Sequence, residues 1–277
     1  MRLATWNMKQ AIAPKKPLDE LWDWIDTDIQ PDVIALTEAK VPKNGMPTGW
    51  TGLWNSDGIY PEKRGGKWGT VLASKEPTLV PVTSIKSAWR KKELKFTWPA
   101  AVQVADILVN EKCWGTIVGL YAPLRNKYHE ETGSGEASLS ILLKDLSALF
   151  NSDRGNRIVI AGDFNCWPQW ISEIISQYGL VDLIEETATS REPLQRCSMC
   201  AEEQGIKKPD NTFFAKNCGH LWTHKNGNSE NAKVQQIDFI LSTKPLLSSL
   251  ERVFGGSADF EDVWSVSDHA PLVAEFN

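Results

Sequence analysis

Apolar positions along this chain fall into two kinds of pattern. Short runs rich in Val, Ile and aromatics, closed by Gly, Pro, Asn or Asp, occupy Arg2–Trp6, Val33–Thr37, Gly69–Ser74, Ala101–Val109, Trp114–Tyr121, Arg157–Ala161, Gln236–Leu241 and Pro271–Phe276, and predict strands. Three other stretches carry apolar residues on one helical face. These are Leu18, Leu21, Trp22, Ile25 and Ile29; then Leu139, Leu142, Leu143, Leu146 and Leu149; then Trp170, Ile171, Ile174, Ile175 and Tyr178. The first opens after Pro17 and stops before Pro31, and the third opens at Pro168. The loose alternation, with adjacent strand pairs in the middle and at the end, predicts mixed sheets with helices outside in one domain, residues 1–277. Glu185–Asn231 breaks the rhythm. It has few apolar runs and three of the five cysteines, and is expected to be an irregular insertion.

Several strand-like runs end on polar residues. Asn7, Glu38, Asp163, Asn165, Asp238 and Asp268 offer carboxylate and amide oxygens, and His269 is the one imidazole among them. Oxygen donors of this kind suit Mg²⁺ or Mn²⁺, which keep waters for a substrate phosphate to displace. A zinc hydrolase would need two or three clustered histidines, and the chain has four in all. The implied chemistry is metal-assisted attack of water on a phosphoester. Each position also has a structural reading. Asp163 and Asn165 could form an Asx turn, Glu38 an ordinary strand end, Tyr121 a core tyrosine, and Asp268-His269 a surface turn.

Bulk properties narrow the class. A net charge of -5 argues against a protein that coats nucleic acid, though not against a nuclease whose metal supplies local positive charge. The cationic stretch Lys86–Lys95, interleaved with Trp89, Phe96 and Trp98, reads first as a solvated face and second as a phosphate-contacting surface. The thirteen tryptophans are expected in the core or lining a cleft, with several placed to stack on bases. No apolar run reaches the roughly 20 residues that span a bilayer, and no signal peptide is visible, so a cytoplasmic protein without membrane attachment is expected, a monomer by preference.

Six short motifs then occur in a telling order: Thr5-Trp6-Asn7, Glu38, Leu120-Tyr121-Ala122-Pro123, Gly162-Asp163-Phe164-Asn165, Gln236-Ile237-Asp238-Phe239-Ile240-Leu241 and Ser267-Asp268-His269-Ala270-Pro271-Leu272. In that order they resemble the endonuclease/exonuclease/phosphatase superfamily across residues 3–273. The resemblance implies a four-layered α/β sandwich, two mixed sheets packed face to face with helices outside. It implies that Glu38 binds the divalent metal, with Asn7 close by and Asp268 at the metal or beside it. Asp163 would orient or deprotonate the attacking water, and Asn165 would hold the nucleophile and phosphate. Tyr121 would contact the phosphate. His269 would hydrogen-bond it, with Asp238 fixing the imidazole tautomer.

Departures from the family narrow the substrate. Cys166-Trp167-Pro168-Gln169 follows the Gly-Asp-Phe-Asn motif, and Leu124 follows Pro123, unlike abasic-site enzymes; the inositol-phosphatase patterns are missing. The expected activity is an intracellular nuclease on DNA or RNA. A phosphatase on a small phosphorylated molecule or lipid headgroup is the alternative, and a scaffold that kept the fold without catalysis the third reading. Separately, Cys197-x2-Cys200, then Cys218 after a 17-residue gap, with His220 or His224, has the spacing of a tetrahedral structural zinc. Cys166 reads as a small residue near the site, with no activating partner visible.

Overall fold

Strands and helices alternate much as the apolar pattern requires. In chain order the strands are β1 (Arg2–Asn7), β2 (Val33–Ala39), β3 (Thr51–Trp54), β4 (Gly69–Ser74), β5 (Thr78–Pro81), β6 (Ser84–Lys86), β7 (Lys91–Glu93), β8 (Val102–Val109), β9 (Lys112–Tyr121), β10 (Ile158–Asp163), β11 (Leu180–Asp182), β12 (His224–Asn226), β13 (Lys233–Gln235), β14 (Asp238–Thr243), β15 (Leu250–Gly255) and β16 (Leu272–Phe276). The α-helices are α1 (Leu18–Trp24), α2 (Gly135–Asp145), α3 (Ser147–Phe150), α4 (Pro168–Ser176), α5 (Leu183–Glu186), α6 (Ser198–Glu203) and α7 (Val263–Val266). The structure, a computed structural model, describes residues 1–10, 15–41, 43–55, 57–59, 67–86, 91–124, 135–190, 197–206, 218–227, 232–260 and 262–277. Trp89 and much of the expected insertion lie outside these.

Two six-stranded mixed sheets carry the fold. One runs β15-β16-β1-β2-β4-β3, the other β11-β14-β10-β9-β8-β5. Period-two alternation sends neighbouring residues to opposite faces, and here both faces are buried. Val159 and Ala161 of β10 meet Leu3, Val33, Ala35 and Leu72 between the sheets. Ile158 and Ile160 face outward onto Leu139, Leu142, Leu143 and Leu146 of the α2 region, while Trp6, Ile34 and Leu36 face outward onto Leu21, Trp22 and Ile25. The result is the expected four-layered sandwich. The four outward-packed leucines are fully buried, and each contributes about 2 kcal/mol of transfer free energy to holding its layer on.

Local details depart from the plain pattern. The first helix does not run unbroken to Pro31. After Trp24 it widens into a π-turn over Ile25–Ile29, closed by the Gln30 N–H donating to the Ile25 carbonyl at 2.8 Å, with Gln30 left-handed at φ 50°. Ile25 and Ile29 stay buried, so the widening preserves the apolar face. The Gln236–Leu241 run becomes a strand only from Asp238, because the Thr223 hydroxyl oxygen accepts the Ile237 and Asp238 N–H groups, at 3.1 Å each. Among the described residues of the stretch 185–231 there is regular structure: α6 and β12 lie within it, and β12 pairs with β13. Near its start, α5 is capped by the Asp182 carboxylate, which accepts the Ile184 N–H at 2.9 Å.

Register decides what meets at the sheet ends. β9 and β10 run parallel, and β14 runs antiparallel to β10, so Tyr121, Asp163 and Asp238 sit in one row across three adjacent strands. In the facing sheet, β1 and β2 are parallel with Asn7 opposite Thr37, and β16 begins with Leu272 opposite Thr5. Glu38 and Ser267–His269 therefore fall at the same end of the sandwich as that row.

Candidate active site

Two glycine and bulge features aim the side chains. Gly162 must be glycine on steric grounds: a Cβ there would lie 1.7 Å from the Leu120 carbonyl oxygen, where β10 presses against β9. That close approach brings Asp163 level with Tyr121. The β2–β4 pairing slips between Leu36 and Ala39, and Glu38 within the slip is left-handed at φ 44°. Bulges of this kind re-aim a side chain beside a site. Lys9 and Asn165 are also left-handed, both at φ 50°, so three of the strained backbone positions border one cleft.

The side chains interlock. Asp163 is buried; its Oδ2 accepts the Asn7 Nδ2–H at 2.9 Å and its Oδ1 accepts the Asn165 N–H at 2.9 Å. The second bond is an Asx turn, so the structural reading of Asp163 and the site reading hold together. Asn165 donates its own amide to the Ala122 carbonyl at 3.0 Å. The Tyr121 hydroxyl donates to Glu38 Oε1 at 3.2 Å, and Trp68 meets the Tyr121 ring edge-on at 5.4 Å. His269 lies between two carboxylates, Nδ1 being 2.8 Å from Asp238 Oδ2 and Nε2 3.9 Å from Asp163 Oδ2. Its backbone is fixed too. The His269 carbonyl accepts the Trp6 indole N–H at 2.9 Å, and the Ser267 hydroxyl donates to the Asn7 carbonyl while accepting the His269 N–H.

Electrostatics follow from burial and crowding. Burial first, then the charge of Asp238, raises the Asp163 pKa to about 8. Burial alone would make His269 less basic, yet the charge and hydrogen bond of Asp238, with Asp163 and Asp268 beyond, carry it up to about 10. Burial likewise raises the Glu38 pKa. Asp268 forms an ion pair with Lys9; burial opposes its charge, but His269 and Lys9 prevail and hold its pKa low. Four carboxyl groups, Glu38, Asp163, Asp238 and Asp268, crowd this corner, where the basic side chains contacting them are His269 and Lys9. Asp238 Oδ1 and Asp268 Oδ1 are buried without a hydrogen-bond partner among the described residues. Crowded carboxyl groups, two of them with buried oxygens that no described residue bonds, fit a divalent cation.

All eight residues expected at the site, Asn7, Glu38, Tyr121, Asp163, Asn165, Asp238, Asp268 and His269, therefore come together at one end of the sandwich. Asp268 differs in detail, being engaged by Lys9. Four residues were not foreseen: Lys9, Ser267, Thr223 and His224. His224 is the correction. Expected as an alternative zinc ligand, it instead bridges to His269 with ring centroids 4.5 Å apart, and burial followed by the His269 charge lowers its pKa to about 3. Ser267 lay within a quoted motif and Lys9 two residues past Asn7, so both had a local signal. Thr223 and His224 had none.

Comparison with known proteins fits this geometry. A family model described as the Endonuclease/Exonuclease/phosphatase family matches residues 4–269. The chain belongs to the endonuclease/exonuclease/phosphatase family. Among solved structures, the family fold recurs in a Neisseria 3' phosphatase, NExo, bound to product DNA hairpin: 17% identity, 100% of this chain and 99% of that one covered, TM-score 0.61. An AP endonuclease from Archaeoglobus fulgidus has 17% identity, coverage of 100% and 99%, and TM-score 0.59. D. rerio TDP2 complexed with single strand DNA product has 13% identity, coverage of 100% and 98%, and TM-score 0.60. A search of curated proteins finds no match. No helix among the described residues is long and apolar enough to cross a membrane.

Proposed function

We propose that this member of the family is a divalent-cation-dependent phosphodiesterase that hydrolyses nucleic acid, with DNA the first substrate to test. The carrying observation is His269 between Asp238 and Asp163, which sets an acid, the imidazolium, beside a base, the Asp163 carboxylate. Asp163, lifted to about 8, is basic enough to take a proton from water and is fixed by Asn7 and Asn165. His269, kept as imidazolium by Asp238, has Nε2 3.9 Å from Asp163 Oδ2 and would donate its N–H there to a non-bridging phosphate oxygen. Asn165, with one amide proton on the Ala122 carbonyl, has a second to offer, and the Tyr121 hydroxyl orients Glu38. Two titrating groups driven apart by their surroundings supply the acid and base roles.

Glu38 and Asn7, with Asp268 alongside, would hold the cation, and Mg²⁺ or Mn²⁺ suits their oxygens. Bound there, it would supply charge neutralisation at the phosphate. DNA is favoured because two of the similar structures are described with DNA product. The thiols of the chain fit a reducing cytoplasmic setting. The test is a panel of plasmid DNA, 3'-phosphorylated DNA hairpin, single-stranded RNA and a small phosphate monoester, each with Mg²⁺ or Mn²⁺. The reading requires DNA turnover that Asp163→Asn abolishes. Turnover of the small monoester alone would establish the phosphatase alternative instead.

A further inference from the structure

A second cluster lies outside the catalytic cleft and takes no part in the chemistry above. Cys197, Cys200, Cys218 and His220 bring one ligand atom each to within 4.8 Å of one another. The three sulfurs surround one nitrogen: His220 Nδ1 is 3.4 Å from Cys197 Sγ, 3.4 Å from Cys200 Sγ and 3.7 Å from Cys218 Sγ. A single imidazole nitrogen has one lone pair or one proton, so it cannot make three hydrogen bonds at once. A metal at the centre accounts for all three separations. Metal–sulfur bonds of about 2.3 Å and metal–nitrogen bonds of about 2.0 Å, at tetrahedral angles, put sulfur and nitrogen ligands about 3.5 Å apart. Cys197 and Cys218 are buried, and Cys200 and His220 half-buried. A cleft of about 420 Å³ bordered by Cys200, Cys218 and His220 gives an ion a way in.

We propose that these four residues bind a structural zinc ion that clamps α6 to the Cys218–His220 segment and so braces the strand leading to Asp238. Four protein ligands close the coordination shell, which leaves no position for substrate or water and makes the role structural. Thiolates select zinc over the hard cations suited to the catalytic oxygens, so the two sites take different metals. Binding displaces the thiol protons, three for three cysteines, and the ion is held by three thiolates and a neutral imidazole.

The clamp bears on the active site through a short chain of contacts. α6 opens on Cys197 and contains Cys200. Its Ser198 hydroxyl donates to the Val234 carbonyl, and its Met199 sulfur accepts the Gln236 N–H at 3.3 Å. On the other side, the Leu221 N–H next to His220 donates to Gln236 Oε1 at 3.0 Å. Thr223 then receives the Asp238 N–H, and its carbonyl receives the Ala270 N–H at 2.7 Å, one residue past His269. The apolar packing around the cluster is small, comprising Cys197, Met199, Cys218 and partly Cys200. A segment with so little core of its own draws its order from such a ligand.

The test is elemental analysis of full-length protein purified without added metal or chelator, as wild type, Glu38→Ala and Cys197→Ser/Cys200→Ser. About one zinc per chain is expected in wild type and in Glu38→Ala, and less than a tenth of that in the double-cysteine variant. That variant could misfold, so wild type carries two further readouts. A mercurial titrated against the thiols should release zinc in step with thiol modification and lower the thermal midpoint. Protein loaded with Co²⁺ should show a thiolate-to-cobalt charge-transfer band. Wild-type protein that is zinc-free, or whose cobalt form lacks that band, would overturn the proposal. Zinc that survives the cysteine substitutions and disappears with Glu38→Ala would overturn it too, since the ion would then be the catalytic one. None of these readouts requires a substrate, so they stand whatever the enzyme cleaves.

Discussion

Replacing Asp238 with Asn tests whether the carboxylate behind His269 is there for chemistry or for folding. The perturbation is nearly isosteric and removes one charge from a buried pair, Asp238 Oδ2 to His269 Nδ1 at 2.8 Å. A buried hydrogen bond to a charged group is worth about 1.5–3 kcal/mol, so an imidazolium needed in the transition state loses roughly that much support. At about 1.4 kcal/mol per factor of ten, kcat/KM falls about 10- to 150-fold. Stability moves differently. Asp238 Oδ1 is buried without a partner among the described residues, and its charge is one cause of the raised Asp163 pKa. Removing that charge relieves the repulsion with Asp163 while uncoupling His269, so the two effects oppose and the thermal midpoint should move little.

The pH profile supplies the sharper signature. With Asp163 required as a base and His269 as an acid, wild-type activity rises as Asp163 loses its proton near pH 8 and falls as His269 loses its own near pH 10. Without the Asp238 charge, Asp163 becomes more acidic and His269 less basic, so both limbs of the bell move to lower pH. The assay is cleavage of a labelled duplex from pH 5 to 10.5 at fixed saturating cation, alongside thermal denaturation. An equal loss at every pH with unmoved limbs and a lowered midpoint would refute the reasoning and make Asp238 a structural residue.

Three further outcomes follow from particular contacts. Gly162→Ala should destabilise the fold by about 3 kcal/mol or more, read by urea denaturation, because its Cβ would meet the Leu120 carbonyl at 1.7 Å and neither backbone can yield. Trp170→Ala should raise KM for DNA roughly tenfold and leave a small phosphodiester unaffected: Trp170 is 47% exposed and stacks on Trp167 at 5.4 Å two residues beyond Asn165, and one base–aromatic stack is worth about 1–3 kcal/mol. His224 stays neutral in the fold down to about pH 3, whereas the unfolded chain protonates it below about 6.5, so its contribution to stability is present above pH 6.5 and is lost on acidification by at most about 1.4 kcal/mol per pH unit. Denaturation at pH 7 and pH 5 should show a smaller drop for His224→Gln than for wild type.

The fold was legible in the sequence where burial is two-sided. β1, β2, β4, β8, β9, β10, β14 and β16, the interior strands of the two sheets, are apolar on both faces or nearly so and read as unbroken runs. The strands of the two six-stranded sheets that went unforeseen, β3, β5, β11 and β15, are their four edges. Their patterns mix exposed and half-buried residues, as in the Thr78–Pro81 strand, because an edge has one side without a partner and gains little from a continuous apolar face. The catalytic corner was legible for a related reason. Polar residues that end fully buried strands, such as Asp163 after Ile158–Ala161, stand out against apolar surroundings. Thr223 and His224 could not be found that way, since their positions come from pairing with Gln235 and His269 across a segment with no periodicity.

The sharpest conflict between local rule and observed structure lies where the site is. Glu38, Asn165 and Lys9 are non-glycine residues held left-handed, Asp163 and His269 are ionisable groups held buried, and Asp238 keeps an unpaired oxygen. Strain of order 1 kcal/mol at each such backbone position persists only if the surroundings over-determine it. Here they do. Asn7 holds Asp163 and the Lys9 N–H together, Ser267 ties Asn7 to His269, and Thr223 fixes the backbone of Asp238. The Asn7–Asp163, His269–Asp238 and Tyr121–Glu38 hydrogen bonds each join one sheet, or the segment entering it, to the other, so the two sheets cannot shift relative to each other without breaking this corner. The sandwich core supplies the stability that keeps this corner in a costly arrangement, and the Cys–His cluster, with its own small packing, sits beside the Leu221–Gln236 contact that leads to it.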